Sequence, residues 1–379
     1  VNTLTDLDGV AIDGASITNS TIVPTSSFMF RNKVINGDMR IDQRNGGTSV
    51  TPTGDAYTLD RWSTWVYQSS KFSVQQNAGS VTPPVGFSNY LGITSTSAYS
   101  VPANEGFAIT QKIEGYNVAD LGWGAAGALT VTLSFWVRSS LTGTFGGAIN
   151  NSAQSRSYPF NYQITLPNTW EYKTITIDGD TSGTWLTTNG TGFFVKFGLG
   201  VGSALSGTAG SWATANYASS TGATSVVGTS GATFYITGVQ LEKGTVATPF
   251  EHRPYGTELS LCQRYYQKSY DIGTAPGTDV SASYIGLHTG NGVTDTSTNQ
   301  NVPFTIHVNP TMRAQPTFYY YSLEGTLNRY NTFTAGAMTR SETGTTLGGF
   351  WRGVNSISGY TAPGGSQLYG FCFVLTAEL

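Results

Sequence analysis

The sequence predicts an all-β protein, and three observations carry that prediction. Charged residues make up only 11% of the 379 positions, well below the usual share of roughly one quarter. Forty-seven glycines, with many Ser, Thr and Asn, furnish the surface instead. Exposed helix positions favour Glu, Lys and Arg, whereas uncharged β-formers and turn residues suit strands joined by tight loops. Thirdly, several stretches alternate cleanly. In "LTVTLSFWVRS", Leu129, Val131, Leu133, Phe135 and Val137 share one face, and Thr130, Thr132, Ser134, Trp136 and Arg138 share the other, which describes a strand with one side in a core.

In chain order, residues 1–30 come first and fit neither period. Ile12, Ile17 and Ile22 recur every five positions among small and polar residues, a spacing foreign to both helix and strand. One isoleucine per five residues buries too little apolar surface to offset the entropy of ordering the chain. The segment is therefore expected to be extended and to oligomerise, with copies from other chains completing its core. From 31 to 255 the strand-like runs "YKTITID", "FFVKFGLG" and "TFYITGVQLEKG" are separated by polar loops such as "GSALSGTAGSWATANYASSTGATSVVG". No alternating strand and helix rhythm appears, so an antiparallel jelly-roll sandwich is expected rather than a parallel α/β sheet. "TELSLCQRYYQKSY" then places Leu259, Cys262 and Tyr266 at helical spacing after Thr257 as N-cap, with Glu258 at the positive end. This predicts a helical linker over 256–270. "NVPFTIHVNPTMRAQPTFYYYS" and the terminal "QLYGFCFVLTAEL" read as strands of a smaller β domain over 271–379.

A formal net charge of −3 with scattered Lys and Arg leaves no basic stripe for nucleic acid. No run approaches the roughly 18–20 apolar residues of a membrane span, so no membrane insertion is expected. Cys262 and Cys372 are too few for a disulfide framework and lack metal-ligand spacing. They are expected to be buried free thiols.

Several segments taken together resemble a known family. "VINGDMRIDQRNGG", "YTLDRW", "VTLSFWVRSS", "FYITGVQLEKG" and "TPFEHRPYGTELSLCQRYY" look like the jelly-roll module of tailed-phage fibre and receptor-binding proteins, and "VPFTIHVNPTMRAQPTF" with "LEGTLNRY" resembles the small C-terminal domain that follows it. The resemblance implies a virion appendage, commonly trimeric, attached to other virion proteins through its N-terminus and recognising a host cell-surface glycan. It gives Ile12, Ile17 and Ile22 a place in a slender three-chain stem. The jelly roll is also similar to carbohydrate-binding modules of the cellulase-associated type, in which an "NGDFE"-like turn and an acidic pair on the last strand help hold a structural calcium. Asn36, Gly37 and Asp38 match that turn, but Ile236, Thr237 and Gly238 stand where an acidic ligand would be. "DGDTSGTW" offers Asp178, Asp180 and Ser182 as half of a calcium loop, with Asn189 in place of its closing Glu. At most a weak calcium is expected, and no other metal or cofactor.

Catalysis would need two facing carboxyl groups, and the acidic residues are dispersed. Asp55 and Asp60, Glu105 and Glu114, Asp178 and Asp180, Glu251 and Glu258 are the nearest approaches to pairs. There is no nucleophile elbow and no Cys/His cluster, so the chain is expected not to be an enzyme. Sugars are held by aromatic faces with amide and hydroxyl groups beside them. The candidates in loops are Trp123, Trp185, Trp212, Tyr217 and Trp351, whereas Trp62 and Trp65 are expected in the core. The function expected is a phage tail fibre or spike that binds host glycan without cleaving it. The alternatives are a structural virion protein, such as a capsid-decorating fibre or tail adaptor, and a polysaccharide depolymerase.

Overall fold

The computed structural model describes residues 30–283, 288–290, 302–334, 337–339, 348–361 and 368–379. Ile12, Ile17 and Ile22 lie outside the described residues. From residue 57 to 243 the chain forms β1 (Tyr57–Leu59), β2 (Trp62–Val66), β3 (Phe72–Gln76), β4 (Leu91–Ser95), β5 (Gly106–Glu114), β6 (Val131–Ser139), β7 (Gly143–Asn151), β8 (Ser157–Ile164), β9 (Glu171–Ile177), β10 (Thr191–Val201), the two-residue β11 (Ser206–Gly207) and β12 (Ser219–Ser220), and β13 (Thr233–Lys243). One sheet runs in the order β1-β2-β5-β10-β7-β8 and the other β3-β4-β13-β6-β9, antiparallel throughout. This is the sandwich that the alternation predicts.

The period of two decides which side chains meet between the sheets. Val131, Leu133, Phe135 and Val137 of β6 are fully buried. They share one core with Phe107 and Ile109 of β5, Phe193, Val195 and Phe197 of β10 and Phe234 and Ile236 of β13. Trp62 joins them, 6.4 Å from Phe197 between ring centroids. At the bulge in β13, where pairing with β6 slips between Thr237 and Gln240, Gly238 sits at φ +61° with the Phe87 ring against it. A side chain there would meet both a left-handed backbone and an occupied space.

The helix α1 spans Tyr255–Gln263, three residues earlier than the Thr257 cap predicts. Pro254 takes the cap position, and its carbonyl accepts from Thr257 N and Glu258 N. The segment 256–270 is thus helical only to Gln263: Tyr266 lies in the strand β14 (Tyr266–Lys268). Glu258 is drawn inward, accepting from the Asn36 backbone N–H and from Arg253 at 3.2 Å. Cys262 and Cys372 are buried thiols that form no disulfide, and burial pushes both up from their ordinary range.

The C-terminal part adds β15 (His288–Gly290), β16 (Val302–His307), β17 (Thr317–Tyr321), β18 (Asn331–Thr334), β19 (Ala337–Thr339), β20 (Gly348–Arg352), β21 (Ser356–Thr361) and β22 (Leu368–Thr376). β22 is the hub and pairs with β14, β15, β17 and β18, while β16, β21 and β20 make a separate three-stranded sheet. Phe371, Cys372 and Leu375 of β22 are all essentially buried, so that strand has a core on both faces rather than one.

The last residues tie this part to the sandwich. Glu378 pairs with Arg61, which is 1% exposed, and with Arg44 at 2.5 Å. Arg313 donates to Asn189 O at 2.6 Å from one side and to Ala377 O and Glu378 O at 2.9 Å from the other.

Candidate functional site

Residues of β2, β5 and β10 that point away from the core build an open cleft. Strand geometry selects them: Ser63 and Trp65 alternate with Trp62 and Thr64, Thr110 and Lys112 with Ile109 and Ile113, and Phe194 and Lys196 with Phe193, Val195 and Phe197. The register sets Ser63, Thr110 and Lys196 in one row across the three strands and Lys112 beside Phe194 in the next. On the other half of this sheet face the long loop after β10 folds over β7 and β8. Ser219 packs where side chains at Gly146 and Gly198 would otherwise stand. Covering one half leaves the other open, as a cleft of about 280 Å³ with Tyr57, Trp65, Phe194, Thr110, Lys196 and Gln154 in its lining.

Trp65 is half-buried, with Tyr67 edge-on at 5.4 Å. Its ring lies against the backbone at Gly106, where even a Cβ would come within 2.5 Å of the indole. Lys196 is 3% exposed. Its Nζ donates to Gln154 Oε1 at 2.7 Å and stands 5.3 Å from the ring centroids of both Trp65 and Phe194. Burial, which disfavours the ammonium, lowers its pKa to about 8. Lys112 donates to Leu379 O at 2.5 Å, and burial lowers its pKa too. The hydroxyl of Thr110, 3% exposed, has no hydrogen-bond partner among the described residues. Asp55 is the one acidic residue of the described lining; it is exposed and accepts from the Val66 N–H at 2.7 Å.

Trp65 was expected in the core, and the structure corrects this. Trp62 and Trp65 are three residues apart on one strand, an odd offset that sends them to opposite faces. The period of β2 is the signal that locates it, as the period of "FFVKF" locates Phe194 and Lys196.

The loop aromatics fall into three places. Trp123, Trp185 and Trp212 come together in an edge-to-face triad, with centroids 4.8 and 5.4 Å from Trp123. Trp123, expected from its glycine-rich loop to present a face, is 8% exposed and stacks on Phe193 at 5.2 Å, so the core occupies that face. Trp185 and Trp212 are partly buried against the same core, and their indole N–H groups donate to Ser182 O and Asp178 O. Tyr217 covers Gly207 in the loop after β10. Trp351 belongs to β20 of the C-terminal sheet, and its side chain lies outside the described residues.

The carboxylates considered for calcium or catalysis have partners within the protein. Asp38 pairs with Arg40 at 3.0 Å, and Asn36 holds its own turn together through Ile41 and Asp60 O. Asp180 takes Arg156 in a two-pronged pair at 2.7 Å, filling the half-loop read as a cation site. Glu114 binds Arg264 and Tyr265, and Glu251 and Glu258 flank Arg253. Among the described residues no three His, Cys, Asp or Glu gather as a metal site.

No protein-family profile and no curated protein sequence matches the chain. Solved structures do resemble part of it. A domain of tailspike protein 4 of bacteriophage CBA120, described as enzymatically active, is 13% identical over 56% of this chain and 22% of its own, with a TM-score of 0.31. A CBM4 structure is 15% identical over 55% of this chain and 98% of its own, at 0.30. A family 11 carbohydrate-binding module from Clostridium thermocellum, in complex with a β-1,3-1,4-mixed-linked tetrasaccharide, is 12% identical over 54% and 98%, at 0.25. The chain thus spans about a fifth of the tailspike chain and nearly all of each module.

Proposed function

We propose that the sandwich binds an oligosaccharide in the cleft over β2, β5 and β10 and does not cleave it. The observation that carries this reading is the pairing of the Trp65 and Phe194 rings with the Lys196 ammonium in the lining of one open cleft. Trp65 and Phe194 offer apolar surface to sugar C–H groups, and the Lys196 ammonium, which gives one N–H to Gln154, has further donors to offer beside it. Leaving a buried ammonium with donors to spare is costly, and a ligand oxygen would take one of them. Binding without cleavage is supported by the lining, which among the described residues supplies Asp55 but no second carboxylate for glycosidase chemistry.

The wider setting belongs to the same proposal. The chain serves as a phage tail fibre or spike, trimeric through Ile12, Ile17 and Ile22, joined to other virion proteins by residues 1–30 and directed at a host surface glycan. What supports it is the resemblance of its sequence segments to such appendages. A single shallow site would be weak, and three copies acting together would supply useful strength.

The test is a glycan array probed with the full chain and with Trp65→Ala. Removing a central aromatic anchor is expected to reduce affinity about 10- to 100-fold, or about 1.4–2.8 kcal/mol. Stability should change little, since the indole faces the cleft. Equal binding by the two proteins would move the site elsewhere; release of reducing ends from a bound polysaccharide would make the protein a depolymerase. Gly106→Val tests the same geometry from the backbone side. Its side chain must displace the indole, so affinity is expected to fall about tenfold or more. Unchanged affinity in that variant would show that the position of Trp65 is immaterial.

A further inference from the structure

We propose that the oligosaccharide taken by this cleft is acidic, with Lys196 receiving the carboxylate of a uronic acid residue. The inference rests on the cleft being a glycan site and adds the chemical class of the sugar. A lysine is rarely buried to 3% exposure without a carboxylate beside it. Lys196 lies within the sheet and lines the cleft, and no ion pair to it forms among the described residues. Of its three N–H donors, one is accounted for by Gln154 Oε1. The Trp65 and Phe194 rings beside it favour a cation but accept no strong hydrogen bond.

Two charged groups and one neutral hydroxyl face it. Lys112 of β5 opposes its charge, and Asp55, ahead of β1, favours it from the exposed rim. Tyr57 of β1 is neutral near pH 7, since burial raises its hydroxyl to about 12. Lys196 and Lys112 both line the cleft, whose described lining holds one carboxylate, Asp55, while Lys112 is also held by Leu379 O and faces Glu378. A uronate ring laid on Trp65 would bring its carboxylate to the ammonium, which stands 5.3 Å from the centroid of that ring.

Anion binding favours the charged amine, so the pH dependence has a definite sign. With the free amine titrating near 8, affinity holds at lower pH and falls as the proton is lost, by up to about tenfold per pH unit above that value. A neutral sugar would show no such fall.

The experiment measures binding of the full chain to a panel of uronate-containing polysaccharide fragments, each paired with its carboxyl-reduced, neutral counterpart, at pH 7 and pH 9. The expected result is at least one acidic fragment bound about tenfold or more tightly than its reduced partner at pH 7. Most of that preference should be lost at pH 9 and in Lys196→Gln. Lys196→Met serves as a further variant, because an uncharged chain of similar length fills the site without the buried charge. Reduced fragments binding as well as acidic ones, or a preference that survives in both variants, would overturn the inference while leaving the glycan cleft standing. Binding of neither kind would remove both.

Discussion

Replacing Glu378 with alanine is expected to destabilise the protein by about 3–5 kcal/mol, the cost typical of breaking a buried ion pair from one side. Arg61 is 1% exposed, and its guanidinium lies 3.6 Å from the Tyr265 ring centroid while donating to Lys112 O at 2.6 Å. Burial works against that charge, and the Glu378 carboxylate more than restores it, raising the pKa above the ordinary arginine value. Without Glu378, Arg61 and Arg44 would share a pocket with Lys112 and lose the carboxylate that both arginines bind. Glu378→Gln keeps the shape and one acceptor, so its loss should be smaller. Urea unfolding of the three proteins is the check. Because the pair joins the end of the chain to the sandwich, the alanine variant should also unfold in less coincident transitions by different probes. A loss under about 1 kcal/mol would mean that the pair is solvated and merely decorative.

Trp123→Ala should cost a similar amount, about 3–5 kcal/mol, while leaving oligosaccharide affinity unchanged. The indole is 8% exposed, stacked on Phe193, wedged between Trp185 and Trp212, and donates to Leu129 O at 2.8 Å. Truncation removes core surface and opens a cavity that the neighbouring rings cannot readily fill. Unfolding curves measured beside binding isotherms separate packing from recognition. A variant that folds with wild-type stability and loses binding would turn the triad into a ligand platform and displace the cleft from that role.

These two residues show what the sequence reveals and where it stops. The strand Val131–Ser139 was legible because its apolar residues keep strict alternation, which fixes the buried face whatever the partner strands are. The same rule applied to Trp62 and Trp65, or to Phe193, Phe194 and Lys196, separates core from cleft on a single strand. What it does not supply is adjacency: β2, β5 and β10 are neighbours through pairings between residues distant in the chain, such as Thr110 with Lys196. Loop aromatics were harder still. Trp123 and Trp65 are both tryptophans near glycine or turn residues, and only the fold decides that Phe193 stacks on Trp123 while Trp65 faces the cleft. The helix begins ahead of Thr257 for a local reason, since Pro254 provides its first carbonyl, accepting from the Thr257 and Glu258 N–H groups. Glu258, expected as a dipole partner, became a buried ligand of Arg253 and the Asn36 turn because residues 32–41 pack across the helix.

The most direct test of the cleft is a crystal structure of the full chain with the tightest-binding oligosaccharide from the array. The account predicts a sugar ring stacked on the Trp65 indole, with a ligand oxygen within hydrogen-bond distance of Lys196 Nζ. An oligosaccharide seated instead against Trp185 and Trp212, over Tyr217 or on the C-terminal sheet at Trp351, with the cleft over β2, β5 and β10 holding only water, would contradict it.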